Sequence, residues 1–301
     1  MTKTKYETIP KQYDHLINQE QYIRILELSQ DFLAQFGQIT GLEDGVISLE
    51  DLNGESQRFA LDNLVRKLNG QDKELWSDII NEHFHNFFND SESRYDFNNL
   101  NQVKEIVVLR VYPDGYFESV NFQDKIIYRV DFEDTKTTLV FDLPDKFRPV
   151  EKIEFENWKV NQDYAFELAQ QNVNKQEIEV YKQNYDNGFE LFSFYSGDFS
   201  ASYLIDLKNN ADFVIGKYGS LVSIPTKGSG FAHPINHNDI SLVIGDIHEM
   251  IIKFYDEEPG QITVNYYWYY NDRFYKFPIT IEEEGFRNYH IPIELERLLK
   301  E

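Results

Sequence analysis

Up to about residue 100 the apolar positions recur mainly at helical spacing, and beyond it they gather into short runs. Ile25, Leu28, Phe32 and Phe36 share one stripe and predict a helix over residues 22–36, with Gly37 as its stop. Trp76, Ile79, Ile80, His83, Phe84 and Phe87 keep a 3.6-residue period, which predicts a second helix over 72–88 with Asp72 as N-cap. Between them, 46–49 reads as a short strand, Asn53-Gly54 as a hairpin turn, and 58–68 as helical. The polar stretch 89–102 marks a boundary. It separates a mainly helical N-terminal region (1–100) from an α+β region (101–301), unless the two form one continuous domain.

In the second region, EIVVLRVY (105–112) is a near-continuous apolar strand ended by the turn Pro113-Asp114-Gly115. Residues 126–132 and 137–143 predict a hairpin, and 262–270 with 273–279 a second one around Asn271-Asp272. Residues 177–181, 189–194 and 220–224 are further strands. Helices are predicted over 162–173, 200–207 and 239–255, with a last one starting at Pro292. The helix over 239–255 carries Ile240, Val243, Ile244, Ile247, Ile251 and Phe254 on one face, with Asp239 able to cap it. Helices and strands mix without βαβ alternation. The predicted class is therefore α+β, with mixed, mainly antiparallel sheets and packed amphipathic helices.

Composition narrows the function classes. An aromatic share of 16% supplies a large core and argues against disorder. The 52 acidic residues face 29 basic ones, for a net charge of −23, and no basic run is visible. Binding to nucleic-acid phosphates needs clustered Lys and Arg, so direct nucleic-acid binding is disfavoured, and the acidity either simply keeps the chain soluble, the plainer reading, or attracts a basic protein partner. The absence of cysteine excludes disulfides, thiolate metal sites and thiol nucleophiles. The first residues lack the apolar core of a signal peptide, and no apolar run approaches the roughly 18 residues that span a bilayer. These readings predict a cytoplasmic chain with no membrane partner.

Chemistry-bearing patterns are sparse. No G-x-S-x-G, H-E-x-x-H or phosphate-loop motif is present, and the glycine-rich stretch 226–230 reads as a turn. No catalytic set is assigned and no cofactor is predicted. His83 and His85 stand two apart on a helix and point away from each other, which leaves His83 as a core or boundary residue. His233, His237 and Asp239 lie close together in AHPINHND and form the one candidate metal set, with Glu249 as a possible base. Pro234 opposes a regular helix there, so a polar loop is the plainer reading. The run from Tyr266 to Tyr270 places Tyr266, Trp268 and Tyr270 on one strand face and Tyr267 and Tyr269 on the other. One face is core; the other is either covered by protein or is a binding surface, with Tyr267, Trp268 and Tyr269 as the binding candidates.

Several segments, in order, look like a family of uncharacterised bacterial proteins that includes the YtpQ-like proteins and longer actinobacterial relatives. They are LDNLVRK and LWSDIINEHF within 61–84, VLRVYPDGY (108–116) and LVFDLPDKFRPV (139–150). ENWKVNQDYAFELAQQNV (156–173), GSLVSIPTKGSGFAHPI (219–235) and YYWYYNDRFYKFP near the C-terminus follow. The resemblance runs from about residue 45 to 280. It implies a cytoplasmic α+β protein with no assigned activity, and it brings no catalytic residues. The leading expectation is a non-enzymatic protein-binding role, such as an acidic immunity or inhibitor protein. The alternatives are a metal-assisted hydrolase using His233, His237 and Asp239, and a component that recognises peptides along a sheet edge.

Overall fold

The computed structural model describes residues 8–51, 54, 56–88, 94–120, 122–144, 146–186, 188–281 and 287–300. The chain forms two compact units, Met1–Arg94 with Pro144–Lys146, and Tyr95–Leu143 with Phe147–Glu301. The fold is α+β, with mainly antiparallel sheets and packed amphipathic helices.

In the first unit, α1 (Gln19–Leu33) opens on a capping box: the Asn18 side chain accepts from the Gln21 amide, and the Gln21 side chain accepts from the Asn18 amide. The helix stops at Leu33, earlier than its apolar stripe suggests. Gly37 does not stop it but begins β1 (Gly37–Glu43), which pairs with β2 (Val46–Asp51). A Cβ on Gly37 would meet the Glu50 carbonyl oxygen at 2.2 Å, so this close approach requires glycine. β3 (Ser56–Ala60) completes a three-stranded meander, and α2 (Asp62–Leu68) follows. Residues 58–60, expected to be helical, are therefore strand. The Asn53 of the expected hairpin turn lies outside the described residues, as does part of the 89–102 stretch. Asp72 caps a 3-10 turn (Lys73–Leu75) that leads into α3 (Trp76–Phe88). Trp76, Ile80 and Phe84 of α3 join Ile25, Leu26 and Phe32 of α1 and Ile47 and Leu49 of β2 in one core. The unit thus holds a sheet as well as helices.

The second unit begins with α4 (Leu100–Val103), β4 (Val107–Pro113), α5 (Tyr116–Ser119), β5 (Tyr128–Arg129), β6 (Thr135–Asp142) and β7 (Phe147–Pro149). β6 pairs antiparallel with β4, β5 and β7. The expected hairpin over 126–143 is correspondingly slight, because β4 is the main partner of β6. α6 (Lys152–Trp158) and α7 (Gln162–Val173) follow; Ala165, Phe166, Ala169 and Val173 of α7 pack with Val107, Val108 and Leu109 of β4.

The rest of the chain builds a larger sheet. β8 (Glu179–Asn184) and β9 (Glu190–Tyr195) lead to the short helices α8 (Ser200–Tyr203) and α9 (Leu207–Asn210). β10 (Ser220–Ser223), β11 (Ser229–Pro234), α10 (Ile240–Glu257), β12 (Tyr266–Tyr270) and β13 (Arg273–Lys276) come next. The chain continues with β14 (Ile279–Ile281), β15 (Arg287–Tyr289) and α11 (Ile293–Leu298). Six strands pair in the order β13-β12-β10-β11-β9-β8, every pair antiparallel. Alternation decides what each face meets. Leu191, Leu221, Phe231, Tyr266 and Trp268 face the apolar stripe of α10, formed by Ile240, Val243, Ile244, Ile247 and Ile251. Phe192, Phe194, Val222, Ala232, Tyr267 and Tyr269 pack on the opposite side with Ala201, Leu204, Leu207, Val111 and Phe132.

β11 is the main departure from the sequence expectation, which made Ser229–Pro234 part of a glycine-rich turn and a polar loop. Small residues hid a central strand: a Cβ on Gly230 would meet Leu204 Cδ1 at 2.4 Å, so close packing selects a residue with little strand propensity.

Candidate functional site

The residues singled out in the sequence are mostly interior. Tyr267, Trp268 and Tyr269 are 0%, 2% and 5% exposed, so none of the three presents a ring to solvent. Their polar atoms are satisfied inside the unit. Trp268 Nε1 donates to the Tyr218 carbonyl at 2.7 Å, Tyr267 OH to the Glu133 carbonyl at 2.8 Å, and Tyr269 OH to Asp272 at 3.0 Å. Burial pushes the Tyr267 and Tyr269 phenols far up, so they stay neutral donors.

Of the candidate metal set, the structure brings two residues together. His233 sits in β11, buried, with Nδ1 2.8 Å from the Glu190 carbonyl oxygen. Asp239 stands at the N-cap position of α10 but makes no side-chain cap hydrogen bond; its Oδ1 lies 3.7 Å from His233 Nε2. His237 is exposed. Strand placement explains the split. His233 points inward from a central strand, whereas His237 lies past the strand's end. Among the described residues no group of three or more His, Asp or Glu side chains is placed to hold a metal ion. His83 is partly buried, and burial lowers its pKa, with Lys67 adding to the shift, as suits a boundary histidine.

A different cluster in the second unit holds an amine whose pKa is strongly lowered. It gathers where the β10–β11 turn meets the loop after β9. Lys227 fills that turn, its amide donating to the Gly260 carbonyl at 2.9 Å and its carbonyl accepting from the Ala201 amide at 3.2 Å. Gly228 follows because a Cβ there would meet the Ser196 carbonyl oxygen at 2.6 Å. The Lys227 ammonium position lies 4.2 Å from the Tyr112 ring centre and 5.6 Å from that of Tyr116. No carboxylate pairs with it among the described residues. Desolvation, with the Arg110 charge as a second cause, brings its pKa down to about 7; Asp198 opposes the shift.

Arg110 projects from β4 and is only 7% exposed. Its guanidinium stacks 3.9 Å from the Phe147 ring centre, and Nη2 pairs with Asp198. The Arg110 Nε is buried without a hydrogen-bond partner among the described residues. Burial raises the Asp142 pKa, Asp198 adds to the rise and Arg110 opposes it. Burial also pushes the Tyr112 phenol up to about 12. The cluster reaches solvent at Tyr116 and at the Asp198 side chain. Chemically, it offers an amine that is half deprotonated near neutral pH beside an incompletely paired guanidinium. Arg110, a charge inside an apolar strand, was the one signal of it in the sequence. Lys227 gave none, because a lysine in a glycine-rich turn normally faces water.

Two surface features complete the picture. β8 is an edge of the large sheet, and all six of its residues are exposed, including Val180 and Tyr181. In the first unit, a cleft of about 380 Å³ is lined by Glu20, Arg24, Glu27, Lys73 and Trp76. No helix among the described residues is long and apolar enough to cross a membrane. No protein-family model, curated protein or solved structure matches the chain.

Proposed function

We propose that this chain is a non-enzymatic protein-binding protein of the inhibitor or immunity kind, acting in the cytoplasm. On this reading a basic partner lays an extended segment along β8. The observation that carries the reading is the edge strand itself, six residues exposed throughout on a sheet whose four inner strands are largely covered. An unprotected edge invites a further strand, since its outward backbone groups have no neighbour. Charge selects the occupant. Glu177, Glu179, Asp186 and Glu190 surround the edge, Lys182 already pairs with Glu190 at 2.6 Å, and the whole chain carries −23. Such a field speeds encounter with a basic segment and repels an acidic one. The resemblance to the YtpQ-like family is compatible with this reading and adds no activity to it.

The test uses a labelled peptide alternating Lys and Val, and a control alternating Glu and Val. Fluorescence anisotropy should show saturable binding of the first that weakens as salt rises, and amide exchange should slow in β8. Equal binding of both peptides, or protection confined to other elements, would sink the proposal. A partner captured from native lysate counts in favour only if the basic peptide displaces it.

A further inference from the structure

The Lys227 cluster supports an inference separate from the docking edge. We propose that Lys227 is the reactive amine of a site for a small carbonyl compound bearing a carboxylate, of the 2-oxo acid class, with Arg110 receiving the carboxylate. Three observations point the same way. Lys227 is packed against two tyrosine rings with no carboxylate paired to it among the described residues. Arg110, more than nine-tenths buried, keeps Nε without a hydrogen-bond partner among the described residues, although burying an unpaired guanidinium N–H is costly. Asp198, which pairs with Nη2 of that guanidinium, has a 39% exposed side chain, so the cluster is open on one side.

The unsatisfied donor is what a ligand carboxylate accepts from, and guanidinium suits that geometry. The pKa of about 7 supplies neutral amine at physiological pH. The step balances without any further reagent. The Nζ lone pair forms a bond to the carbonyl carbon, and the carbonyl oxygen takes a proton. The carbon–oxygen bond then breaks, and the oxygen leaves as water carrying both hydrogens of the neutral amine. An imine joins Lys227 to the ligand. The charged and titratable groups that tune it are Arg110, Asp198, Asp142, Tyr112 and Tyr116.

The full chain is treated with glyoxylate and cyanoborohydride at neutral pH, with acetaldehyde as the probe that lacks a carboxylate, and the modified lysines are mapped by peptide mass spectrometry. Lys227 is expected to react about tenfold faster than the median lysine, and to prefer glyoxylate over acetaldehyde relative to that median. Uniform labelling of all lysines overturns the proposal. Selective labelling of Lys227 by both aldehydes alike overturns the role of Arg110. Because both comparisons are made in the unaltered protein, neither depends on a variant that fails to fold.

Discussion

β12 and β8 belong to one sheet and differ in almost everything that decides a role. β12 is the more aromatic, and its first four residues are buried. β8 also carries an aromatic and an aliphatic residue, Tyr181 and Val180, yet every position is exposed. The cause is what covers them. The stripe of α10 reaches Tyr266 and Trp268, and Tyr267 and Tyr269 pack against Phe132, Leu204 and Leu207 on the other face. No residue of β8 belongs to either core. Aromatic content alone therefore does not identify a binding strand; position in the sheet does.

The sharpest way to break this comparison is Trp268→Ala. Trp268 is buried against Tyr270, with ring centres 4.8 Å apart, and its Nε1 proton is used inside the fold. Loss of that volume in a close-packed core should cost about 4 kcal/mol in urea unfolding. A cost below about 1 kcal/mol, in the range of surface substitutions, would mean that β12 is less enclosed than its burial indicates.

Lys227, at the turn between β10 and β11, is the intermediate case of a half-buried group without full compensation. Its folded pKa lies below the unfolded value of about 10.4, so the unfolded chain binds more protons between about pH 7 and pH 10.4. The penalty is complete below pH 7 and fades as pH rises through that window. Lys227→Met should thus stabilise the fold by on the order of 3 kcal/mol at pH 6, and the gain over the parent should vanish by about pH 10.5. Lys136 is the internal control. It is only 7% exposed, but Glu118 and Asp114 hold its proton and its pKa moves up, so Lys136→Met should give no such gain. A pH-independent difference for Lys227→Met would refute the unpaired-amine description.

How much of this was legible beforehand varies with the residues. α3 and α10 follow from apolar periodicity because each lays one stripe on a core, and β4 follows from a run buried on both faces. β11 did not, since Ser229, Gly230 and Pro234 read as turn residues and only the packing of Gly230 against Leu204 accounts for the glycine. Trp268 was legible as a strand residue, but whether its face met protein or water depended on α10, which lies between β11 and β12 in sequence. The Lys227 cluster was the least legible. Arg110, Asp142, Asp198 and Lys227 come from four separate parts of the chain, and no local pattern joins them.

The smallest expected effect tests the other strand of the comparison. Tyr181 is 56% exposed, its hydroxyl donates to Glu179 at 2.5 Å, and its ring centre lies 5.8 Å from that of Tyr195. An exposed hydrogen bond and a loose ring contact contribute little to folding. Tyr181→Ser should therefore shift stability by no more than about 0.5 kcal/mol. At a docking edge the same ring supplies rigid contact area, so affinity for the Lys-Val peptide should fall about tenfold. The two readouts separate the roles. A large loss of stability would make β8 a structural strand that tolerates exposure, whereas unchanged affinity with unchanged stability would leave the backbone edge as the contact and exclude the Tyr181 side chain from it.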